Sequence, residues 1–295
     1  MATAADLIEE TRALLESGTR PELNRLNGAL TDNATTATLE FDMGSIQTGA
    51  VLAVDLELLY VWSISGQVAT VQRGYLGTTP AVHDDDSLVY VNPRWSAFTI
   101  LRAINAELDS YSSPKWGLYR MRTTDVTYSS GRIGYDLSGV TDLIDIYELR
   151  WKGYTAGEWP LIRRWSLTRD MDSSEFSSGY ALLLDEGAGP GKTIRVRYKA
   201  PFGQLAALTD DVQSVAGFPA EAEDIPPLGA AARLVAPREV KRATTEAQPE
   251  SRTAAEVPPG TNRSAAGTLL QLRDQRLREE AARLNQRYPT LAKVS

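Results

Sequence analysis

Apolar positions near the N-terminus recur with a helical period. In residues 3–16, Ala4, Leu7, Ile8, Thr11, Leu14 and Leu15 fall on one side, with Asp6, Glu9, Glu10 and Glu16 opposite. Gly18 and Pro21 supply the stop. From residue 36 the pattern shortens into β-like runs, "ATLEF", "AVLAVDLELLYVWSISG", "QVATVQRG" and "SLVYVNP", with Ser65-Gly66 as a hairpin signal. The helical period returns in "RWSAFTILRAINAELDSYSS", where Ala97, Ile100, Leu101, Ile104, Leu108 and Tyr111 share a face that Pro114 closes. Residues 116–200 are again β-like, most clearly in "TIRVRYKA", where Ile194, Val196 and Tyr198 alternate with Arg195, Arg197 and Lys199.

Beyond "PFG" the segment "DIPPLGAAARLVAPREVKRA" is helix-prone and expected to break at Pro237. "TTEAQPESRTAAEVPPGTNRS" is polar and Pro-rich, the composition of an extended linker. A last helix is predicted over 264–287. Leu270, Leu277 and Leu284 form its narrow packing stripe, and Arg276, Arg283 and Arg287, with Arg273 nearby, form a basic stripe beside it. That basic stripe reads either as a salt-bridged solvent face or as a rim facing DNA or an acidic partner.

These elements predict an α+β protein. Its parts are an N-terminal helix and linker (1–30), a small barrel-like antiparallel β-module (31–93), a helix (94–114), a β-sandwich or barrel (115–202), a helical segment (203–243), a Pro-rich linker (244–263) and a basic C-terminal helix with its tail (264–295).

Composition narrows the chemistry. The chain has 295 residues and no cysteine, which excludes disulfides, thiolate metal sites and cysteine nucleophiles. No stretch approaches the roughly 20 apolar residues of a membrane span, and the acidic N-terminus does not read as a secretion signal. Charge is uneven. Residues 1–60 hold ten acids against three arginines, whereas the last 25 residues hold six bases against three acids. Such polarity suits layered or head-to-tail assembly, and equally a solvated surface.

Three stretches look chemical. "DEGAGPGKTI" imitates a phosphate loop, but Glu186 stands where the first glycine belongs and a strand follows Thr193, so a hairpin turn is expected. "VHDDDS" contains the only histidine, His83, beside Asp84, Asp85 and Asp86. One histidine cannot build a two-histidine metal site, and no nucleophile elbow accompanies it. The favoured reading is therefore a turn formed with Gly74 and Gly77, its acids solvated, with no catalytic residue, metal or cofactor. Trp151, Trp159 and Trp165 in "RWKGYTAGEWPLIRRW" read as core or interface residues, or as a sugar platform.

One motif carries a resemblance. Asp55, Glu57, Val61, Gly66, Val71, Arg73, Gly74, Gly77, Thr78, His83, Val89, Val91, Asn92 and Pro93 follow a pattern similar to β-modules of tailed-bacteriophage virion proteins. The C-terminal run "DIPPLGAAARLVAPREVKR … EVPPG … RDQRLREEAARLNQRYP" resembles the end of head–tail connector, or adaptor, proteins of the phage neck. The resemblance implies a small helical connector bundle and a non-enzymatic structural role in the virion. It implies a homo-oligomeric ring, twelvefold in the family, that joins the portal protein to the next neck or tail protein. It also implies possible non-specific contact with packaged DNA, and synthesis in the host cytoplasm. A minor tail or baseplate protein is the nearest alternative. A carbohydrate-binding receptor or decoration module is the alternative of another class.

Overall fold

The computed structural model describes residues 2–16, 21–129, 131–153, 155, 157–185, 192–246 and 261–289. The side chains of 237–246 and 261–263 lie outside that description. The chain divides into two compact units, Met1–Leu108 with Gly203–Arg276, and Asp109–Phe202 with Leu277–Ser295.

The first unit opens with helix α1 (Ala4–Leu15), started by a capping box in which Thr3 and Asp6 satisfy each other's backbone N–H. Its inward face holds Ala4, Leu7, Ile8 and Thr11, as the periodicity predicts, and it packs on α3 (Ile225–Glu246). Leu14 is exposed, and Arg12 takes an inward place instead, its guanidinium 4.5 Å from the Tyr90 ring.

The β-module of this unit contains β1 (Glu22–Arg25), β2 (Thr36–Thr38), β3 (Val51–Val54), β4 (Glu57–Ser65), β5 (Val68–Gln72) and β6 (Leu88–Val91). They form one antiparallel sheet ordered β1-β6-β3-β4-β5-β2. The sheet curls, and a bridge between Leu26 and Leu39 joins its two outer strands. Leu26, Leu39, Leu52, Leu59, Val61, Val71, Val89 and Val91 fill its interior.

Two boundaries differ from expectation. The module begins at residue 22, not 31, because Glu22–Arg25 pairs with β6. The run 50–66 is two strands, turned at Asp55-Leu56 with Asp55 at φ 50, a left-handed conformation that aspartate tolerates better than most residues.

Helix α2 (Ala97–Tyr111) buries the predicted face, Ile100, Leu101, Ile104, Leu108 and Tyr111. Helix α3 does not break at Pro237. One missing N–H removes a single helical hydrogen bond, and the flanking alanines and charged residues are good helix formers. Helix α4 spans Thr261–Arg287. The predicted linker is thus helical at both ends, and its centre, 247–260, lies outside the described residues.

Among the described residues the second unit has seven strands, β7 (Arg120–Thr127), β8 (Gly134–Asp136), β9 (Asp145–Trp151), β10 (Leu161–Ile162), β11 (Trp165–Thr168), β12 (Ala181–Leu184) and β13 (Thr193–Ala200). They make two antiparallel sheets, β10-β9-β13-β7 and β11-β12-β8. Leu149, Ile194, Val196 and Tyr198 of one sheet and Tyr135, Leu182 and Leu184 of the other share a single core. Along β13 the predicted alternation holds, with Ile194, Val196 and Tyr198 buried. Its opposite face is a ladder of paired charges, Arg195 with Asp125 and Arg197 with Glu148. The phosphate-loop lookalike does not join a hairpin, since β12 and β13 belong to different sheets. Residues 186–191 within it lie outside the described residues.

Candidate functional site

The tight β3–β4 turn places Asp55 and Glu57 on one edge of the module. The segment after β5 brings Arg73 and His83 against them. Glu57 is wholly buried, and every direction around its carboxylate is occupied. Its Oε1 accepts from Arg73 Nε at 2.7 Å and from the Gly74 N–H at 3.1 Å. Its Oε2 accepts from Arg73 Nη2 at 2.7 Å, from the Ala81 N–H at 2.9 Å and from His83 Nε2 at 3.0 Å. The other ring nitrogen of His83, Nδ1, lies 2.8 Å from Asp55 Oδ2. Arg73 also donates to the carbonyls of Thr31 and Ala81, tying in the loop after β1.

Both imidazole nitrogens face carboxylate oxygens, and only the imidazolium can donate to both at once, so the geometry favours the charged ring. Burial pulls the His83 pKa down, but the hydrogen bonds to Asp55 and Glu57 outweigh it and leave it raised. Burial likewise pushes the Glu57 carboxyl up. Arg73, then Ala81, His83 and Gly74, outweigh that and hold it at about 2. Two buried cations, Arg73 and His83, are thus satisfied by the buried Glu57 and the half-exposed Asp55, as buried ions must be.

This corrects the reading of His83 as a turn residue. Its backbone pairs with Leu30, and its ring is only 1% exposed. The turn proper is made by Gly74 at φ 62 and Gly77 at φ 80. A Cβ on Gly74 would lie 2.9 Å from the Thr78 carbonyl, so glycine is needed there for space as well as for its backbone angle. The neighbouring acids are not all solvated. Asp85 accepts from the Gly28 N–H at 2.6 Å, and Asp86 pairs with Arg25 at 2.8 Å. All four cluster residues already stand in the motif. The signal available was charge balance, two acids on a hairpin turn followed by an arginine and a histidine on one loop.

The cluster has a pH signature. The depressed Glu57 pKa contributes stability that is complete above the ordinary 4.5 and lost as pH falls toward about 2. The raised His83 pKa contributes stability that is complete below the ordinary 6.5 and lost as pH climbs through its folded value. Urea midpoints should show the cluster's contribution at its fullest between those two values. His83→Gln should flatten the alkaline fall relative to the wild type, and an unchanged alkaline limb would refute the assignment.

A second cluster gathers helices of the same unit. Glu107 on α2, fully buried, receives Arg233 of α3 and Arg273 of α4, the latter at 3.1 Å. Arg276 forms a two-pronged pair with Asp224, at 2.8 and 2.9 Å. The predicted basic stripe therefore divides. Arg273 and Arg276 turn inward to acids on other segments, while Arg283, 3.5 Å from Glu280, and Arg287 remain outward. The apolar stripe divides too. Leu277 is buried and Leu284 half-buried, but Leu270, on the same side of the helix, is exposed.

The three tryptophans are half-buried. Trp151 and Trp165 pack on the second unit's core, Lys192 lies 4.5 Å from the Trp151 ring, and Arg195 lies 4.0 Å from the Trp159 ring. Among the described residues no group of acids and histidine has the arrangement of a metal site, and no helix is long and apolar enough to cross a membrane. No protein-family model matches the chain, and no curated protein is similar enough in sequence to count as a relative.

Proposed function

We propose that the protein is a structural component of a tailed-phage virion, a head–tail adaptor that joins the portal to the tail as a ring of identical copies. The observation that carries this reading is the order of elements. A helix, a β-module, a second helix, a second β unit and two further helices follow one another, and α1, α3 and parts of α2 and α4 belong to one unit. That order agrees with the arrangement the motif resemblance implies. The saturated Glu57 carboxylate supports a non-enzymatic role for the histidine motif, since it has neither solvent access nor a free acceptor direction. Arg195 over the Trp159 face leaves less open aromatic surface for a sugar.

Mass photometry of the purified chain, alone and mixed with portal protein, tests the proposal. Portal-bound oligomers of ring stoichiometry, twelve by the resemblance, are expected. A chain that ignores portal and binds glycans would overturn the adaptor in favour of a receptor module.

Arg283 and Arg287 are the exposed arginines of the basic stripe, placed to meet an acidic ring surface or DNA. Replacing both with Gln should leave thermal melting within about 0.5 kcal/mol of wild type. It should also weaken portal attachment and reduce the sensitivity of that attachment to salt. Unaltered attachment would make them a solvated face.

A further inference from the structure

Asn27-Gly28 is the only Asn-Gly pair in the chain, and it stands in the segment that closes the β-module. Both residues are exposed. Just before them Leu26 bridges Leu39, while its N–H donates to the Ser87 carbonyl and its carbonyl accepts from the Asp86 N–H. Just after them Leu30 and His83 exchange backbone hydrogen bonds of 2.8 Å in both directions. Gly28 takes φ 101, a backbone angle that favours glycine. The Asn27 N–H is held by the Thr38 carbonyl at 2.9 Å, but among the described residues its side-chain amide has no hydrogen-bond partner.

An asparagine followed by glycine can close on itself. The glycine nitrogen loses its proton to hydroxide and attacks the asparagine side-chain carbonyl carbon. A C–N bond forms, and the side-chain nitrogen leaves as ammonia. Water then opens the cyclic imide at either carbonyl, giving an ordinary aspartyl or an isoaspartyl residue. Without a Cβ, Gly28 puts no side chain in the way of that attack. The isoaspartyl product carries the main chain through the former side-chain carbon and so lengthens it. Here the added length would fall between two fixed pairings, Leu26 with Leu39 and Leu30 with His83, and both registers could not be kept.

Asp85 stands against the first step. Its Oδ1 accepts from the Gly28 N–H at 2.6 Å. To attack, the nitrogen must give up that hydrogen bond and become an anion beside a carboxylate, and a like charge so close disfavours the anion. The carboxylate is set in place by its neighbours. His83 is fixed in the buried cluster by Glu57, Asp86 pairs with Arg25 at 2.8 Å, and Asp85 Oδ1 also accepts from the Asp86 N–H at 3.0 Å. We infer that Asn27-Gly28 is a latent deamidation site that Asp85 holds in check. The middle acid of "HDDDS" thereby guards the covalent integrity of the strand that closes the module.

Full-length protein held at mildly alkaline pH, with and without unfolding concentrations of urea, tests this, with peptide mapping by mass spectrometry following the conversion of Asn27. Folded wild type should convert more slowly than the unfolded chain. Asp85→Ala should convert about tenfold faster than folded wild type, the effect of making the nitrogen easier to deprotonate by about one pKa unit. Asp86→Ala removes the Arg25 pair from the same loop but leaves the Gly28 contact, so it should convert as wild type does. In urea all of them should convert alike. Asp85→Asn keeps an acceptor for the N–H and loses the charge, so its rate should lie between, and it decides the matter if Asp85→Ala does not fold. Folded wild type converting as fast as the unfolded chain would overturn the inference, as would Asp85 variants no faster than wild type. Asp86→Ala as fast as Asp85→Ala would also overturn it, because the protection would then come from the packing of the loop and not from the carboxylate.

Discussion

Glu57→Gln should destabilise the protein by about 3–5 kcal/mol, the range for removing one partner from a buried ion pair. The substitution keeps size and shape but replaces one acceptor oxygen with an N–H donor. Whichever way the amide turns, that donor faces others, Arg73 and Gly74 on one side or Arg73, Ala81 and His83 on the other. Arg73 and His83 are left as buried cations. Asp55→Asn is the internal comparison. Its side chain is half exposed and meets only one edge of His83, so it should cost about 1 kcal/mol. Urea unfolding measures both, and hydrogen exchange should localise the loss of protection in Glu57→Gln to residues 73–83. Equal midpoints for Glu57→Gln and wild type would show that the cluster contributes nothing.

Gly229→Ala should also destabilise, by about 2–4 kcal/mol, against the direction that helix propensity alone predicts. Alanine in a helix is favoured over glycine by about 1 kcal/mol. A Cβ at 229, however, would lie 2.2 Å from Glu107 Oε2, 2.4 Å from its Cδ and 2.7 Å from its Cγ. A free glutamate would swing away. This one is fully buried and held by Arg233 and Arg273, so moving it disturbs a buried ion cluster, and that cost exceeds the propensity gain. Gly267 in α4 supplies the control, because nothing lies within 4 Å of a Cβ built there. Gly267→Ala should stabilise by up to about 1 kcal/mol. Thermal melting of the two variants should therefore shift in opposite directions, and a stabilised Gly229→Ala would show that α3 does not approach α2 this closely.

The local pattern of the chain was enough to place α1, α2 and α4 and most of its strands, though it broke α3 at Pro237, which the helix runs through. The inward faces of α1 and α2, the alternation along β13 and the turn at Ser65-Gly66 all follow from side-chain period and backbone freedom within a few residues. The absence of cysteine settled part of the chemistry in the same way. Tertiary structure alone decided where the charges went. Glu57 finds Arg73 16 residues away and His83 26 away, and Glu107 finds Arg233 and Arg273 126 and 166 residues away. Periodicity assigns an isolated charge to the wet face because burying it without a partner is prohibitive. Only chain segments brought together from far apart can supply that partner. The same reason draws Arg273 inward beside Leu277, since Glu107 gives the arginine a buried counter-charge that no pattern within α4 announces.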